Sequence, residues 1–329
     1  MAMDTFKTIL AGLGALVLLR FARSTFHFFA LHFWRPSHPL TRYKRANSDA
    51  YALITGSSAG IGLGIARALV RQGFGVILLG HLPDELASAS ESLVAEHPAA
   101  NGRVRTLVVN GQTATHEQIQ QAVASVSDLP ITILVNNVGS ATLAVPPIRP
   151  LSTLSLSQID AHVDLNARFM ARLTSLVLPI LTSSKKSKDD RALILNLSSV
   201  GKMGLPFLVM YGATKAFDYA FSTGLARELE GDEETAHVDC LAIVPGEVRT
   251  QTNAAASPSR APTADEFGRA IVDKVDGALA RGRRELRPDW RHDLTVAMMD
   301  NVFSEGFLSW SVRQDLLDKK AKTEGKKDA

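Results

Sequence analysis

One cysteine in 329 residues, Cys240, leaves no partner for an internal disulfide and no thiolate set for a zinc cluster. It stands in the apolar run Val238-Asp239-Cys240-Leu241-Ala242-Ile243-Val244, where an inert buried thiol is expected, because a reactive one needs a polar, partly exposed setting. An excess of one charge is equally lacking. Against 36 Lys and Arg stand 33 Asp and Glu, a net +3 with no basic stripe, so no nucleic acid is expected as a partner. No repeat runs along the chain, and no Gly-Lys-Ser/Thr follows its glycine-rich turn, which excludes a P-loop. No metal is called for. What is plentiful is apolar: 46% of the residues are hydrophobic, enough for a sizeable packed core. After the first fifty residues the remainder suits one α/β domain better than two.

Those first fifty residues differ in kind from the rest. Six of the fourteen Phe fall between Phe6 and Phe33, and Thr8 to Leu19 is wholly apolar or small before Arg20 and Arg23 interrupt it. A spanning helix wants about 20 apolar residues, so this core is short on its own. Phe21 to Trp34 continues with aromatics broken by His27 and His32, which suits the interfacial zone of a bilayer. The segment reads as a tilted span with snorkelling arginines or as a helix that inserts its first half. Its rivals are a cleaved signal peptide, for which no clear small-x-small site precedes the aromatics, and a helix packed on the protein's own core. The expected division is a membrane anchor over 1–46 and one domain over 47–329. Only Lys7 precedes the apolar stretch whereas Arg35, Arg42, Lys44 and Arg45 follow it, which places the domain in the cytosol. The ending Lys326-Lys327-Asp328-Ala329 resembles the dilysine retrieval signal of endoplasmic-reticulum membrane proteins, which is read from that same side.

From Tyr51 short apolar runs alternate with amphipathic stretches, the pattern of βαβ units on a parallel sheet. The runs are Tyr51–Thr55, Val76–Leu79, Arg105–Val109, Ile131–Asn136, Ala192–Leu197 and Val238–Val244. Helices are expected between them over Ile61–Gln72, Pro83–Glu96, His116–Ser127 and Gln158–Leu181, with a surface loop over Ser183–Arg191. From Asn253 to Thr263 an Ala/Ser/Pro-rich loop precedes further helical material.

Two constellations carry chemistry. Thr55-Gly56-Ser57-Ser58-Ala59-Gly60-Ile61-Gly62 stands where the first strand hands over to the first helix. Glycines there let the backbone turn tightly and approach a phosphate, and the helix N-terminus faces a pyrophosphate with its free N–H groups. Tyr211 and Lys215, four apart, share one face of a helix. A phenol with a pKa of about 10 is a poor proton donor near neutrality, and a nearby ammonium lowers that value. The bland alternative is a core tyrosine with a solvated lysine.

The octapeptide resembles the Thr-Gly-x-x-x-Gly-x-Gly fingerprint of short-chain dehydrogenases/reductases. Asn136-Asn137-Val138-Gly139 looks like that family's strand-four motif, and Pro245-Gly246-Glu247-Val248-Arg249-Thr250 looks like its motif after strand six. The resemblance implies a Rossmann-type doubly wound parallel sheet, here preceded by a membrane-associated helix. It implies a dinucleotide held by Gly56, Ser58, Gly60, Ile61 and Gly62, with Asn137 on the adenine-side ribose. Val248 would reach the nicotinamide through its backbone, Thr250 through its hydroxyl. Tyr211 becomes the proton donor, and Lys215 also holds the nicotinamide ribose. Asn166, in Val163-Asp164-Leu165-Asn166, matches the helix-four Asn that anchors a water in the proton relay; a packing or kink role is its alternative.

Three positions leave choices open. The catalytic serine is Ser198 by counting back thirteen from Tyr211, and Ser199 by anchoring on Asn196-Leu197-Ser198-Ser199. Ser199 is favoured, because strand register is harder to alter than loop length. Asn110 replaces the usual Asp after strand three and can still donate and accept hydrogen bonds. Strand two ends in Gly80-His81 without the acid of an NAD-preferring member, so NADPH (NADP+) is expected over NADH, with His81 approaching the 2′-phosphate.

Ile133–Gly139, Leu176–Pro179, Ile194–Ser199 and Tyr211–Phe217 resemble one membrane-associated branch, the very-long-chain 3-oxoacyl-CoA reductases and their 17β-hydroxysteroid dehydrogenase relatives. That likeness implies reduction of a 3-oxoacyl-CoA, a lipophilic small-molecule substrate, in fatty-acid elongation at the endoplasmic-reticulum membrane. A steroid or secondary-metabolite ketone reductase stays open. So do a non-catalytic dinucleotide-binding scaffold and assembly as a homodimer.

Overall fold

The computed structural model describes residues 2–34, 40–44, 49–183, 187, 189–253 and 261–324. Among the described residues seven strands form one parallel sheet: β1 (Tyr51–Thr55), β2 (Gly75–Gly80), β3 (Val104–Val108), β4 (Ile131–Asn136), β5 (Ala192–Leu197), β6 (Val238–Ile243) and β7 (Glu285–Leu286). Their order is β3-β2-β1-β4-β5-β6-β7. Every residue of β1, β2, β4 and β5 is buried, which is why these strands read as unbroken apolar runs. Edge strand β3 is half exposed and carries Arg105 and Thr106 accordingly.

Alternation along each strand feeds two cores. Ile54, Leu78, Val135 and Leu195 face α2 (Gly60–Arg71), α3 (Pro83–Glu96) and α8 (Ala264–Leu279), where Leu69, Leu86 and Ile271 meet them. Leu53, Ile77, Leu134 and Ile194 face the other way. They meet Ile119 of α4 (His116–Ala124), Leu173 of α6 (Phe169–Thr182) and Leu229 of α7 (Val209–Glu230). The expected Rossmann-type doubly wound sheet is therefore present. The chain reverses its winding between β1 and β4, and ligands of such sheets bind at that switch point, outside the carboxyl ends of the strands. On the first face α2 and α8 cross in backbone contact. A Cβ on Gly64 would lie 2.3 Å from the Ala264 carbonyl oxygen, and one on Gly268 2.3 Å from the Gly64 carbonyl carbon.

Three details depart from the sequence reading. The helix expected over Gln158–Leu181 begins earlier, as α5 (Leu156–Val163), because Ser155 and Gln158 form a reciprocal cap. It is then interrupted by a π-helical stretch, Asp164–Arg168, before α6. The two-residue β7 gave no apolar run to read. Of the expected loop over 253–263, residues 254–260 lie outside the described ones, as do 184–186 and 188 of the loop before β5.

The first helix, α1 (Ala2–His32), is continuous, about 45 Å long at the rise of an α-helix. Residues 3–26 are all exposed, so packing on the protein's own core is excluded for most of its length. By length and composition Met3–His32 suffices to cross a membrane. Only the last turn docks. Ala30 and Leu31 are buried, and His32 Nε2 lies 2.9 Å from Asp293 Oδ2. Leu40 and Tyr43, before the expected boundary at 46, are buried in the domain, Tyr43 donating to Asp239 at 2.8 Å.

Asp293, in α9 (Trp290–Asn301), also receives Arg283 at 3.2 Å and Arg287 at 3.1 Å. Burial opposes its ionisation, but the His32 hydrogen bond and the two arginines outweigh that and hold its pKa down to about 2, against 3.8 ordinarily. A depressed carboxylate contributes stability that is present above 3.8 and lost as pH falls through about 2. Asp293→Asn should therefore lose about 2 kcal/mol at neutral pH. Its deficit against the natural protein, read by chemical denaturation in detergent, should shrink below pH 3.8.

Candidate active site

At the carboxyl end of β1 the chain makes the turn that the glycines permit. Gly56 (φ 61°) and Gly60 (φ 58°) both hold left-handed backbone, which side chains disfavour. At Gly62 even a methyl is barred, since its Cβ would lie 2.3 Å from the Gly56 carbonyl oxygen. Ala59 occupies the N-cap of α2 and offers no side-chain acceptor, so the first N–H groups of α2 have no side-chain cap. Ile61 follows in the first turn. Thr250 stands across from Gly60, its methyl 3.6 Å from where a Cβ would be, and its hydroxyl accepts from Asn253 N at 3.1 Å. Val248 is buried, and its carbonyl accepts from Asn253 Nδ2 at 3.2 Å.

Asn137 works locally. Its amide Nδ2 donates to the carbonyls of Thr55 at 2.9 Å and Gly56 at 3.0 Å, and its backbone N–H donates to Thr55 Oγ1 at 2.9 Å. It thus fastens the glycine turn to the end of β4, with both Nδ2 bonds committed before any ribose arrives. Asn110 Oδ1 similarly accepts from Gln112 N at 3.0 Å, closing its own turn. His81 is exposed just past β2. The sequence reading missed Glu85. From the first turn of α3 its carboxylate accepts from Ser58 Oγ at 3.0 Å, so the end of β2 has an acid beside it after all.

The catalytic candidates converge on the ends of β4 and β5 and the start of α7. A Cβ built on Gly201 would lie 3.4 Å from both Ser199 Oγ and Tyr211 Cε1, which places the hydroxyl and the ring on the same small gap. Ser199 Oγ accepts from Gly201 N at 3.0 Å. Ser198 points the other way, donating to the Lys215 carbonyl at 2.6 Å and buried. Just beyond β5 the two serines face opposite sides, and the structure brings Ser199, not Ser198, to the gap beside Tyr211. Ser199→Ala should cripple turnover while Ser198→Ala stays mild in turnover assays; the reverse result would reassign the serine.

Lys215 Nζ is buried 6.0 Å from the Tyr211 ring centre and crowded by Gly139, where a Cβ would come within 2.7 Å. It donates to the Leu197 carbonyl at 2.8 Å and to Asp218 Oδ2 at 2.9 Å. Burial disfavours its charge, but the Asp218 carboxylate and the Tyr211 phenol outweigh that and hold its pKa above the ordinary 10.5. Asp218 was also missed, although an acid three residues after Lys215 shares its helix face.

Asn166 sits buried in the π-helical stretch, a feature frequent at functional sites. Its Oδ1 accepts from Ser140 N at 2.8 Å. Its Nδ2 donates to the Ser140 carbonyl at 3.0 Å and to Thr214 Oγ1 at 3.1 Å, and Thr214 Oγ1 in turn donates to the Tyr211 carbonyl at 2.9 Å. The side chain therefore ties the end of β4 to the turn that carries Tyr211. Beside Tyr211 a small hollow is lined by Ala144, Pro147, Leu154, Phe207 and Met210 together with Arg149 and His162. Phe207 holds left-handed backbone (φ 63°), a strain tolerated where a site over-determines it. Cys240 is buried in the core beneath α7, its thiol pushed up to about 12 by burial. Among the described residues no cluster of His, Cys, Asp and Glu could hold a metal.

A family model described as short chain dehydrogenase matches residues 50–261, a span that includes every candidate site residue. The very-long-chain 3-oxoacyl-CoA reductase of Candida albicans is 29% identical over 282 residues, 82% of this chain and 76% of the relative. The protein of the same description from Pyricularia oryzae is 27% identical over 301 residues, 90% of this chain and 86% of the relative. Among solved structures, a protein described as a short chain dehydrogenase from Escherichia coli, complexed with NADPH, matches with a TM-score of 0.62. It is 21% identical and covers 74% of this chain and 97% of its own.

Proposed function

The chain belongs to the short chain dehydrogenase family, and from that premise we propose that it reduces the ketone of a 3-oxoacyl-CoA to the secondary alcohol, with NADPH, at a membrane. It is an oxidoreductase acting on CH–OH and C=O groups, and it binds a nicotinamide dinucleotide. The likeness to two very-long-chain 3-oxoacyl-CoA reductases over most of the chain carries the choice of substrate.

The residues present fit the cofactor. The glycine turn with its uncapped α2 amides would take the pyrophosphate, Lys215 the nicotinamide ribose, and Val248 and Thr250 the nicotinamide side. When bound, the dinucleotide supplies the hydride. The chain's own part is to hold and move a proton. Ser199 Oγ donates a hydrogen bond to the ketone oxygen, and Tyr211 gives its phenolic proton to that oxygen as charge develops there. The Lys215 ammonium stabilises the phenolate left behind. Asn166 holds the Tyr211 turn against β4.

The preference for NADPH rests on Gly80-His81, which ends β2 without an acid. Glu85 favours a second reading, NADH, because a carboxylate beside Ser58 can accept the ribose hydroxyls and repel a 2′-phosphate. Glu85 is exposed and can swing into solvent, so NADPH stays the proposal. Fluorescence titration should give the lower dissociation constant for NADPH, and a clear preference for NADH would assign the choice to Glu85.

The division into an anchor, α1, and a reductase domain facing the cytosol belongs to the same proposal, as does residence in the endoplasmic reticulum; Lys326 and Lys327 lie outside the described residues. The deciding experiment incubates membranes bearing the protein with NADPH and a panel of 3-oxoacyl-CoAs and steroid ketones. Oxidation of NADPH with the 3-oxoacyl-CoAs supports the reading, and activity confined to the steroid ketones overturns it. Resistance to alkaline carbonate extraction checks the anchor separately.

A further inference from the structure

The C-terminal helices carry an apolar face that is largely exposed, with Phe33 packed on its end at Trp290. On α9, Trp290, Leu294 and Met298 recur every four residues and form one stripe, each more than two-fifths exposed. On α10 (Glu305–Glu324) the stripe continues. The Phe303 and Phe307 rings stack at 4.8 Å, and Phe307 meets Trp310 at 5.9 Å, with Trp310 58% exposed. The opposite faces do the docking, through buried Asp293, Val296 and Leu316. A surface helix normally presents polar residues outward, and a contiguous outward apolar strip marks a contact surface.

We propose that this face of α9 and α10 lies in the interface of a lipid bilayer, as a second membrane contact beside the point where α1 leaves the domain; this rests on the reading of α1 as a membrane anchor. Two observations favour lipid over a second copy or a protein partner. The strip is continuous with the end of α1, where Phe33 packs on Trp290 with ring centres 6.2 Å apart. The chain has only three tryptophans, Trp34, Trp290 and Trp310, and all three stand exposed along this strip and the helix end that adjoins it. Tryptophan combines an apolar body with one N–H donor and concentrates where lipid meets water. The contact also reaches the active site. His292 Nδ1 accepts from Gly246 N at 3.2 Å, and Lys319 pairs with Glu247 at 2.8 Å, which fastens α9 and α10 to the loop carrying Val248 and Thr250.

The test uses the full-length protein in phosphatidylcholine vesicles, in three variants that each keep one tryptophan and carry Trp→Phe at the other two. Lipids brominated near the glycerol or deep in the chains quench tryptophan at matching depth. Trp290 and Trp310 should emit to the blue and lose emission chiefly to shallow bromine. If Trp34 is quenched and the other two are not, the inference fails while the anchor stands. If none is quenched, the anchor reading fails with it. Blue emission from Trp290 and Trp310 that is indifferent to bromine would mean that protein, such as a second copy, covers the face, which also overturns the inference. Should a variant lose cofactor binding, Phe307→Cys decides instead. Cys240 is buried, so a thiol-reactive dye labels position 307 selectively. In vesicles that dye should be shielded from aqueous iodide, and ready quenching by iodide overturns the proposal.

Discussion

Tyr211→Phe should leave cofactor binding intact and lower turnover at least about 100-fold, or about 2.7 kcal/mol of barrier. Phenylalanine keeps the ring that closes on Gly201 and Ser199, so the gap and the α7 turn retain their shape. What disappears is the proton. Ser199 can still hydrogen-bond the ketone oxygen, but its hydroxyl has no ammonium placed to stabilise it once deprotonated; Lys215 Nζ lies on the Tyr211 side. The loss should appear in kcat, with the dissociation constant for NADPH nearly unchanged by fluorescence titration, because the step removed belongs to the transition state alone. Retention of most of the activity would refute the assignment.

The second large effect is at Asp218. Lys215 and Asp218 are both almost wholly buried, with Nζ and Oδ2 2.9 Å apart. Removing one member of such a pair leaves the other charge uncompensated at a cost of about 3–5 kcal/mol. Asp218→Ala should lose stability on that scale at pH 7, as measured by chemical denaturation. The pH dependence has a definite sign. The Lys215 pKa is raised on folding, so its contribution is fully present below 10.5 and is lost as pH rises through the higher folded value. The gap between the natural protein and the variant should therefore be constant near neutrality and close above pH 10.5. Asp218→Asn keeps an acceptor beside Nζ and should lose less, with its alkaline limit of activity moved to lower pH. A variant as stable as the natural protein at pH 7 would mean that the pair is not formed in solution.

Both predictions concern one helix, α7, in which Lys215 and Asp218 stand four and seven residues after Tyr211, yet only the first partner pair was legible beforehand. Tyr211 and Lys215 announce themselves by spacing, because helical geometry alone puts them together. For the serine the sequence offered two rulers that disagree, spacing for Ser198 and strand register for Ser199, and it is Ser199 that lies on the gap beside Tyr211. Strands β1, β2, β4, β5 and β6 were readable because burial on both faces leaves unbroken apolar runs. β7 was not, because two residues make no run and their pairing depends on where β6 ends. Glu85 and Asp218 matter through what folding brings near them, Ser58 in one case and a buried ammonium in the other. The π-helical stretch around Asn166 has no periodic signature, since one extra residue in a turn hardly disturbs the apolar spacing on either side.

The glycine crossing of α2 and α8 has a bearing on how such a chain can change. Gly64 and Gly268 let two helices touch main chain to main chain, and one of those helices presents the cofactor turn while the other begins the C-terminal part of the chain. Nothing larger than hydrogen fits at either place without prying the pair apart. The two halves of the enzyme are thereby riveted, and neither can drift alone. A new C-terminal half grafted onto this sheet to accept another substrate will seat only if it brings its own glycine to that rivet, whatever else it changes.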